Sequence, residues 1–361
     1  MEVVQFEEET MKISRYASII FAAVVIVLVC GGNWIAAKGP PVANFPNFIP
    51  LTINKTGDVA IDKVGNVYVN VTATNGHVQI WKYSPAGEGP DVVADLGEGT
   101  AYGLALDANG DIYAINDGAD MGYKGIYRVD HQGGDPVLLP GTEQIVFPNA
   151  LAFDQLGNLY VTESVSSDGK GGIWRIPKHG EEAEPWLRDP LLTGIGGVLA
   201  AFPFGANGIA FYHGDLYVAN SDKHLIVRIP VHPDGSPGQA DIWKDLEEVP
   251  ESLLLLRQKL PVWAPDGIAL DVHGNLYVTM VTRAAVVRIN AEDHSQETIA
   301  VLGPDLNAPL FAPLDAPNTI AFGTGKGGRQ SLFVTNASFG PPFPGRGLVK
   351  IEAEEPGQPL P

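Results

Sequence analysis

Apolar and polar residues alternate over short runs along most of the chain, and the runs keep a fixed order. In APDGIALDVHGNLYVT, Ala264 to Thr279, a carboxylate precedes one alternating run, a His-Gly-Asn turn follows, and LYVT makes a second run. Period-two alternation on both sides of a glycine turn predicts a β-hairpin. The phrase recurs as TGDVAIDKVGNVYVNV from Thr56, AYGLALDANGDIYAIN from Ala101 and PNALAFDQLGNLYVTE from Pro148. It returns as ANGIAFYHGDLYVANS from Ala206, PDGIALDVHGNLYVTM from Pro265 and PNTIAFGTGKGGRQSLFVTN from Pro317. A third run follows each copy, such as GGIWRIP, HLIVRIP, AAVVRIN or GLVKIE, and a fourth follows several, such as ADIWKDL or QETIAVL. The second residues of the six copies are 45 to 59 residues apart. Four short strands repeated at that spacing predict an all-β fold, a six-bladed β-propeller with four-stranded blades.

The last copy has no fourth strand of its own, since only EEPGQPLP follows it. The segment ANFPNFIPLTI, Ala43–Ile53, stands where that strand is missing. It is predicted to pair with Gly347–Glu352, closing the ring and covering an open sheet edge. One propeller domain over residues 40–355 accounts for the repeats without a linker.

Residues 1–37 do not fit the pattern. SIIFAAVVIVLVC, Ser18 to Cys30, is an unbroken apolar run preceded by Lys12 and Arg15. The segment reads as a signal peptide or as an uncleaved N-terminal membrane anchor, with a buried core helix as the third reading. The basic flank favours the first two, and either exports the propeller, secreted, periplasmic or held at a membrane. The single cysteine, Cys30, falls inside this segment, so no disulfide or thiol chemistry is expected of the domain.

Charge narrows the partners. The formal net charge is −19, from 23 Lys plus Arg against 42 Asp plus Glu. An acidic surface repels phosphate backbones, which argues against nucleic acid and leaves cations and small molecules as partners.

The inner strand of each blade lines the channel of a propeller, so the second residues of the six phrases form a ring at one mouth. In order they are Gly57, Tyr102, Asn149, Asn207, Asp266 and Asn318. Two readings stand on the residues alone. Asn207-Gly208 and Asp266-Gly267 are ordinary turn pairs, and buried water would serve the remaining amides. Alternatively, amides and a carboxylate crowded into a narrow channel hold a hard divalent cation, most simply Ca²⁺, with Zn²⁺ or Mg²⁺ as other candidates. Asp62, Asp107, Asp154 and Asp271 lack EF-hand spacing and read instead as hairpin-turn caps. The eight histidines are scattered, His213 and His273 lie in turns at the opposite end, and no G-x-S-x-G motif is present.

The stretches ANGIAFYHGDLYVANSDKHLIVRI and APDGIALDVHGNLYVTMVTRAAVVRI resemble the regucalcin/gluconolactonase family of six-bladed propellers, and more distantly the paraoxonases. The resemblance implies one divalent cation in the channel and hydrolysis of lactones or related esters. It further implies that Asn149, Asn207 and Asp266 bind the metal and that Asp266 is the general base. One position departs from the family pattern, because a metal-binding glutamate is usual where Gly57 stands. Asp58 is adjacent, but strand alternation points it away from the channel unless the strand opens with a bulge.

Second strands end at the same mouth and add Asp117, Glu163, Asn220, Asp222 and Asn336, each a loop residue by default. Glu163 is the first choice for a carboxylate behind the ligands or a replacement ligand. Asn318 is a possible compensating ligand, and Tyr102 is either packed or a hydrogen-bond donor to substrate. Three long apolar connections, from Asp189, Glu247 and Asp305, lead into Asn207, Asp266 and Asn318. They read as pocket walls or as a satellite core; as walls they favour a lipophilic lactone or ester. The leading function is therefore a metal-dependent lactone or ester hydrolase. Its rivals are a non-catalytic propeller binding a ligand or protein, and a metal-free enzyme similar to strictosidine synthase in which Glu163 does the acid–base work.

Overall fold

In the computed structural model the described residues are 42–45, 53–118, 122–166, 168–178, 182–196, 203–246, 264–301, 316–325, 328–336 and 347–359. Each predicted phrase folds as the first hairpin of a blade. The six inner strands are Ile53–Ile61, Ala101–Leu106, Pro148–Phe153, Ala206–Tyr212, Pro265–Leu270 and Pro317–Phe322, which define blades one to six. Every blade is a four-stranded antiparallel sheet.

Local chemistry explains why the hairpins turn where they do. In blades one, two, three and five an aspartate at the end of the inner strand accepts hydrogen bonds from the turn. Asp62 Oδ1 takes Val64 and Asn66 N–H, Asp107 takes Asn109 and Asp111, Asp154 takes Leu156 and Asn158, and Asp271 takes His273 and Asn275. These are Asx-type turns, as their spacing predicts. Blade four has no such aspartate and turns instead on His213 and Gly214, with φ of 49° and 92°. Two successive positive φ values fit a tight two-residue hairpin.

The ring closes as expected, with a small difference. The closing strand is Val42–Asn44, pairing antiparallel with Leu348–Glu352 so that Ala43 faces Lys350, whereas Ile53 belongs to the inner strand of blade one. Phe45 follows the closing strand and packs edge-on against both Tyr83 of blade one and Phe333 of blade six, each 5.6 Å away. Hydrophobic core fills each gap between neighbouring blades rather than one central region. Ile115, Leu151, Phe153, Val161 and Trp174 fill the gap between blades two and three, for example. Phe45, Val59, Val69, Phe333 and Leu348 fill the gap where the ring closes. Such a ring leaves its axis to polar groups.

Residues 1–37 lie outside the described residues, as do ESLLLLRQKL, DLNAPLFAPLD and part of the Asp189 connection. Among the described residues no helix is long and apolar enough to cross a membrane.

Candidate functional site

The inner strands share one irregularity at the channel mouth. In blade five Pro265 faces Met280 and Ile268 faces Val278, so Asp266 and Gly267 together oppose Thr279. The same two-against-one step occurs in blades two, three and four, at Tyr102-Gly103, Asn149-Ala150 and Asn207-Gly208. In blade one it falls between Thr56 and Val59, so Gly57 and Asp58 oppose Asn70. Each is a β-bulge, which re-aims side chains at the end of a strand. Side chains of the facing strand hold the bulges: Ala150 N–H donates to Thr162 Oγ1 at 2.9 Å, Gly267 N–H to Thr279 Oγ1 at 2.8 Å, and Asp58 N–H to Asn70 Oδ1 at 2.9 Å.

The blade-one bulge decides the orientation of Asp58. Its carboxylate faces inward, and with Asn149, Asp266 and Thr319 it lines a cavity of about 150 Å³ on the channel axis. Asn207, 1% exposed, lies beside this cavity with its amide against the Asp266 carboxylate. Asn149, Asn207 and Asp266 are thus brought together.

Serines orient the two asparagines. Asn149 Nδ2 donates to Ser164 Oγ at 3.1 Å, and Ser164 donates to Ala206 O at 2.6 Å. One blade on, Asn207 Nδ2 donates to Ser221 Oγ at 2.9 Å, and Ser221 donates to Pro265 O at 2.6 Å. Each serine uses the amide nitrogen of one ring residue and ties it to the backbone just before the next. The amide oxygens are left over. Asn207 Oδ1 is buried with no hydrogen-bond partner among the described residues.

A lysine enters the same channel. Lys55 Nζ stands 3.2 Å from the centroid of the Tyr102 ring, a close cation–π contact. Tyr102 packs edge-on against Phe147 at 5.2 Å, and Phe147 against Phe204 at 5.4 Å. Tyr102 is therefore a packed residue, the blander of its two sequence readings. Burial pulls the Lys55 ammonium down to about 7, against the attraction of Asp117, Asp266 and Asp58. Burial likewise pushes the Asp58 carboxyl up to about 7, opposed by Leu104 N–H, the Thr319 hydroxyl and Lys55. Asp266 is raised well above the usual carboxylate range by burial and then by the Asp58 charge, with Lys55 and Asn207 offsetting part. Perturbation of three neighbouring groups by burial and mutual charge makes this a candidate functional centre.

Other predicted positions do different work. Glu163 is neither a ligand nor a carboxylate behind the ligands. It accepts from Val146 N–H at 2.8 Å and Trp174 Nε1 at 2.9 Å and pairs with Arg188 at 2.5 Å, away from the channel. Asn318 is held at both ends of its amide, accepting from Thr335 Oγ1 and donating to Thr56 O of blade one, which ties it to the closure of the ring. Asp222 gathers the N–H groups of Ile195, Gly196 and Phe204, and Asn220 donates to Leu191 O and Thr193 O. Both shape the connection into blade four. Buried Asn336 donates its N–H to Gly347 O. Asp117 sits at the mouth, 3.7 Å from Lys124. Asp111, Asp130 and His131 cluster at the far end of blade two, but Asp111 is taken up by Arg128 and His131.

The donors fit a hard cation. Two carboxylates and two serine-oriented amides converge, one amide oxygen is buried and unmet, and oxygen ligands of this kind suit Ca²⁺ or a similar ion. Lys55 escaped the sequence reading, although alternation places it on the same strand face as Gly57 and so on the channel side.

These features define a six-bladed propeller with an oxygen-rich site at one channel mouth. Residues 204–338 match the SMP-30/Gluconolactonase/LRE-like region, so the resemblance read from the sequence is borne out. The fold is similar to a luciferin-regenerating enzyme at 15% identity and TM-score 0.61, covering 88% of this chain and 98% of that one. It is similar to the calcium-binding protein regucalcin of Agrobacterium tumefaciens at 15% identity and TM-score 0.61, covering 87% and 95%. A gluconolactonase of Xanthomonas campestris is similar at 17% identity and TM-score 0.57, covering 84% and 87%. Comparison with curated proteins gives no match.

Proposed function

We propose that the protein hydrolyses lactones or related carboxylic esters at this channel mouth, with a divalent cation, Ca²⁺ first among candidates, held by Asn149, Asn207 and Asp266 together with Asp58. The observation that carries the reading is the buried, unmet Asn207 Oδ1 beside two half-buried carboxylates that line the cavity. Acceptors gathered in excess of their donors are costly unless a cation joins them. When bound, the ion would polarise the substrate carbonyl and stabilise its oxyanion. Asp266 accepts the proton of the attacking water in its ionised form, which a neighbouring cation favours. Ser164 and Ser221 keep the amide oxygens turned inward, and Thr319 offers a hydroxyl on the cavity wall.

Polar atoms dominate the cavity wall, which supports a small polar carbonyl compound. The lipophilic preference rests on long connections that lie mostly outside the described residues, and export or membrane association rests on residues 1–37; both belong to the proposal. The rival metal-free enzyme loses its residue, since Glu163 is locked in structural bonds. A non-catalytic propeller is the remaining alternative.

The deciding assay is a panel of lactones and aryl esters, with and without chelator, on wild type and Asp266→Asn. Hydrolysis should fall by about 10²–10⁴-fold in the variant, the usual loss with a general base, and chelator should reduce the wild-type rate. Absence of turnover on the whole panel, or equal rates in the two proteins, refutes the assignment.

A further inference from the structure

Blade one carries Gly57 where the resemblance read from the sequence leads one to expect an anionic ligand. A Cβ on Gly57 would lie against Asn70 Oδ1 and 2.6 Å from Tyr102 O, so no side chain fits there without moving backbone. The inner strand of this blade is also the longest of the six, nine residues, with a second register step between Ile53 and Lys55. That extension carries Lys55 past the bulge to the mouth. Two positions from the missing anion, the chain supplies a cation.

The surroundings of Lys55 show what that cation faces. Its ammonium has no hydrogen-bond acceptor among the described residues and rests on the Tyr102 ring. Three carboxylates act on it through space, those of Asp117, Asp266 and Asp58. Asp117 has a second cation in Lys124. Among the described residues, Asp58 and Asp266 have Lys55 alone as an oppositely charged neighbour acting on them, and they also line the cavity proposed for the divalent ion. With an ion in that cavity, one pair of carboxylates would serve two cations. In a poorly screened channel, a divalent ion seated between them meets a like charge nearby.

We propose that Lys55 is a tethered cation that competes with the divalent ion for Asp58 and Asp266, so the ion binds only as the ammonium gives way. The inference rests on the reading that the oxygen ring holds an ion. Without the ion, Lys55 neutralises carboxylates that would otherwise stand uncompensated. With the ion, Lys55 weakens binding and sets a threshold concentration for occupancy. Lys55 is in this account a positioning and tuning residue that leaves every oxygen ligand in place.

The test is calcium titration of the purified full-length protein, by calorimetry and by thermal shift, for wild type, Lys55→Met and Lys55→Arg. Methionine keeps the length of the side chain and its contact with Tyr102 but removes the charge. Calcium affinity should rise at least about tenfold in Lys55→Met, about 1.4 kcal/mol. In chelator the same variant should melt no lower than wild type, because burial of the Lys55 ammonium costs more than its attraction to the carboxylates returns. Lys55→Arg should keep the wild-type calcium affinity. Raised affinity together with an unlowered melting point is diagnostic, since a packing role would lower the melting point without raising affinity. Equal affinity in wild type and Lys55→Met overturns the competition while leaving the cation site standing. No calcium response in any of the three proteins overturns the cation site, and the competition with it.

Discussion

Replacing Asp58 by Asn separates the electrostatic account of the channel from a purely architectural one. Asparagine keeps the shape and still accepts from Leu104 N–H and the Thr319 hydroxyl, so the main change is one negative charge. In the folded protein the Asp58 carboxyl is raised from 3.8 to about 7 by burial. Between those pH values the folded state holds a proton that the unfolded chain has released. The raised carboxyl therefore favours folding fully below pH 3.8, and that contribution is lost as pH rises to about 7. Above pH 7 the folded protein carries a charge that the unfolded chain keeps in water. A shift of about three units corresponds to a ceiling of about 4 kcal/mol. Solvent reaches Asp58 through the channel, so screening reduces the expected effect to about 2 kcal/mol. Without divalent ions, Asp58→Asn should thus be more stable than wild type by about 2 kcal/mol at pH 8, and about equal to it near pH 4. Lys55 has the opposite sense: its lowered value opposes folding most below about pH 7 and ceases to do so as pH rises towards 10.5. Working at pH 4 to 8 keeps the two apart. Urea unfolding followed by tryptophan fluorescence, in chelator, measures the difference at each pH. A stability difference that does not change with pH, or a variant less stable than wild type at pH 8, would refute the reasoning.

Two further substitutions test the supports of the site. Ser221→Ala removes both the acceptor of Asn207 Nδ2 and the donor to Pro265 O, leaving two buried groups unmet. A loss of about 2–3 kcal/mol is expected in denaturant unfolding, and calcium affinity should fall about tenfold as the Asn207 amide turns freely; unchanged affinity would mean that the serine does not orient the ring. Glu163→Gln breaks a buried pair with Arg188 and should cost about 2–3 kcal/mol, below the range for fully buried pairs because Arg188 is partly exposed. Its kcat/KM on the best lactone should stay within about twofold of wild type, and a large selective drop in kcat would return Glu163 to the chemistry.

What could be read in advance follows from the range of each signal. The blades were legible because alternation, turn glycines and the caps Asp62, Asp107, Asp154 and Asp271 all act within a few residues. The heads of the inner strands were legible for the same reason, so Asn149, Asn207 and Asp266 were found as a ring. Side-chain direction at those heads was harder. Simple alternation turns Asp58 away from the axis, and one extra residue between Thr56 and Val59 turns it back. The extra residue is specified by Asn70, whose side chain receives the Asp58 N–H from the facing strand. Nothing in TGDVAI announces it.

The misassigned residues fail for a related reason. Glu163 closes a second strand at the channel end, but Trp174 on the third strand and Arg188 beyond the fourth claim its carboxylate. Asn318 completes the ring by position, yet its amide bridges to Thr56, 262 residues away in sequence and adjacent only because the ring closes. Lys55 is the most consequential case. Its reach to Asp266 spans blades one and five, a relation created by the circular arrangement and absent from any local pattern. Periodicity therefore specifies which face of a strand is wet or dry, whereas the charge balance on the axis is set by residues from separate blades. A repeat can be copied six times with its turn signals intact while the channel it surrounds changes from anionic to mixed charge. In this chain the mixed charge arises in one blade, where Gly57 leaves the ring position bare, the bulge turns Asp58 inward and the extended strand brings in Lys55.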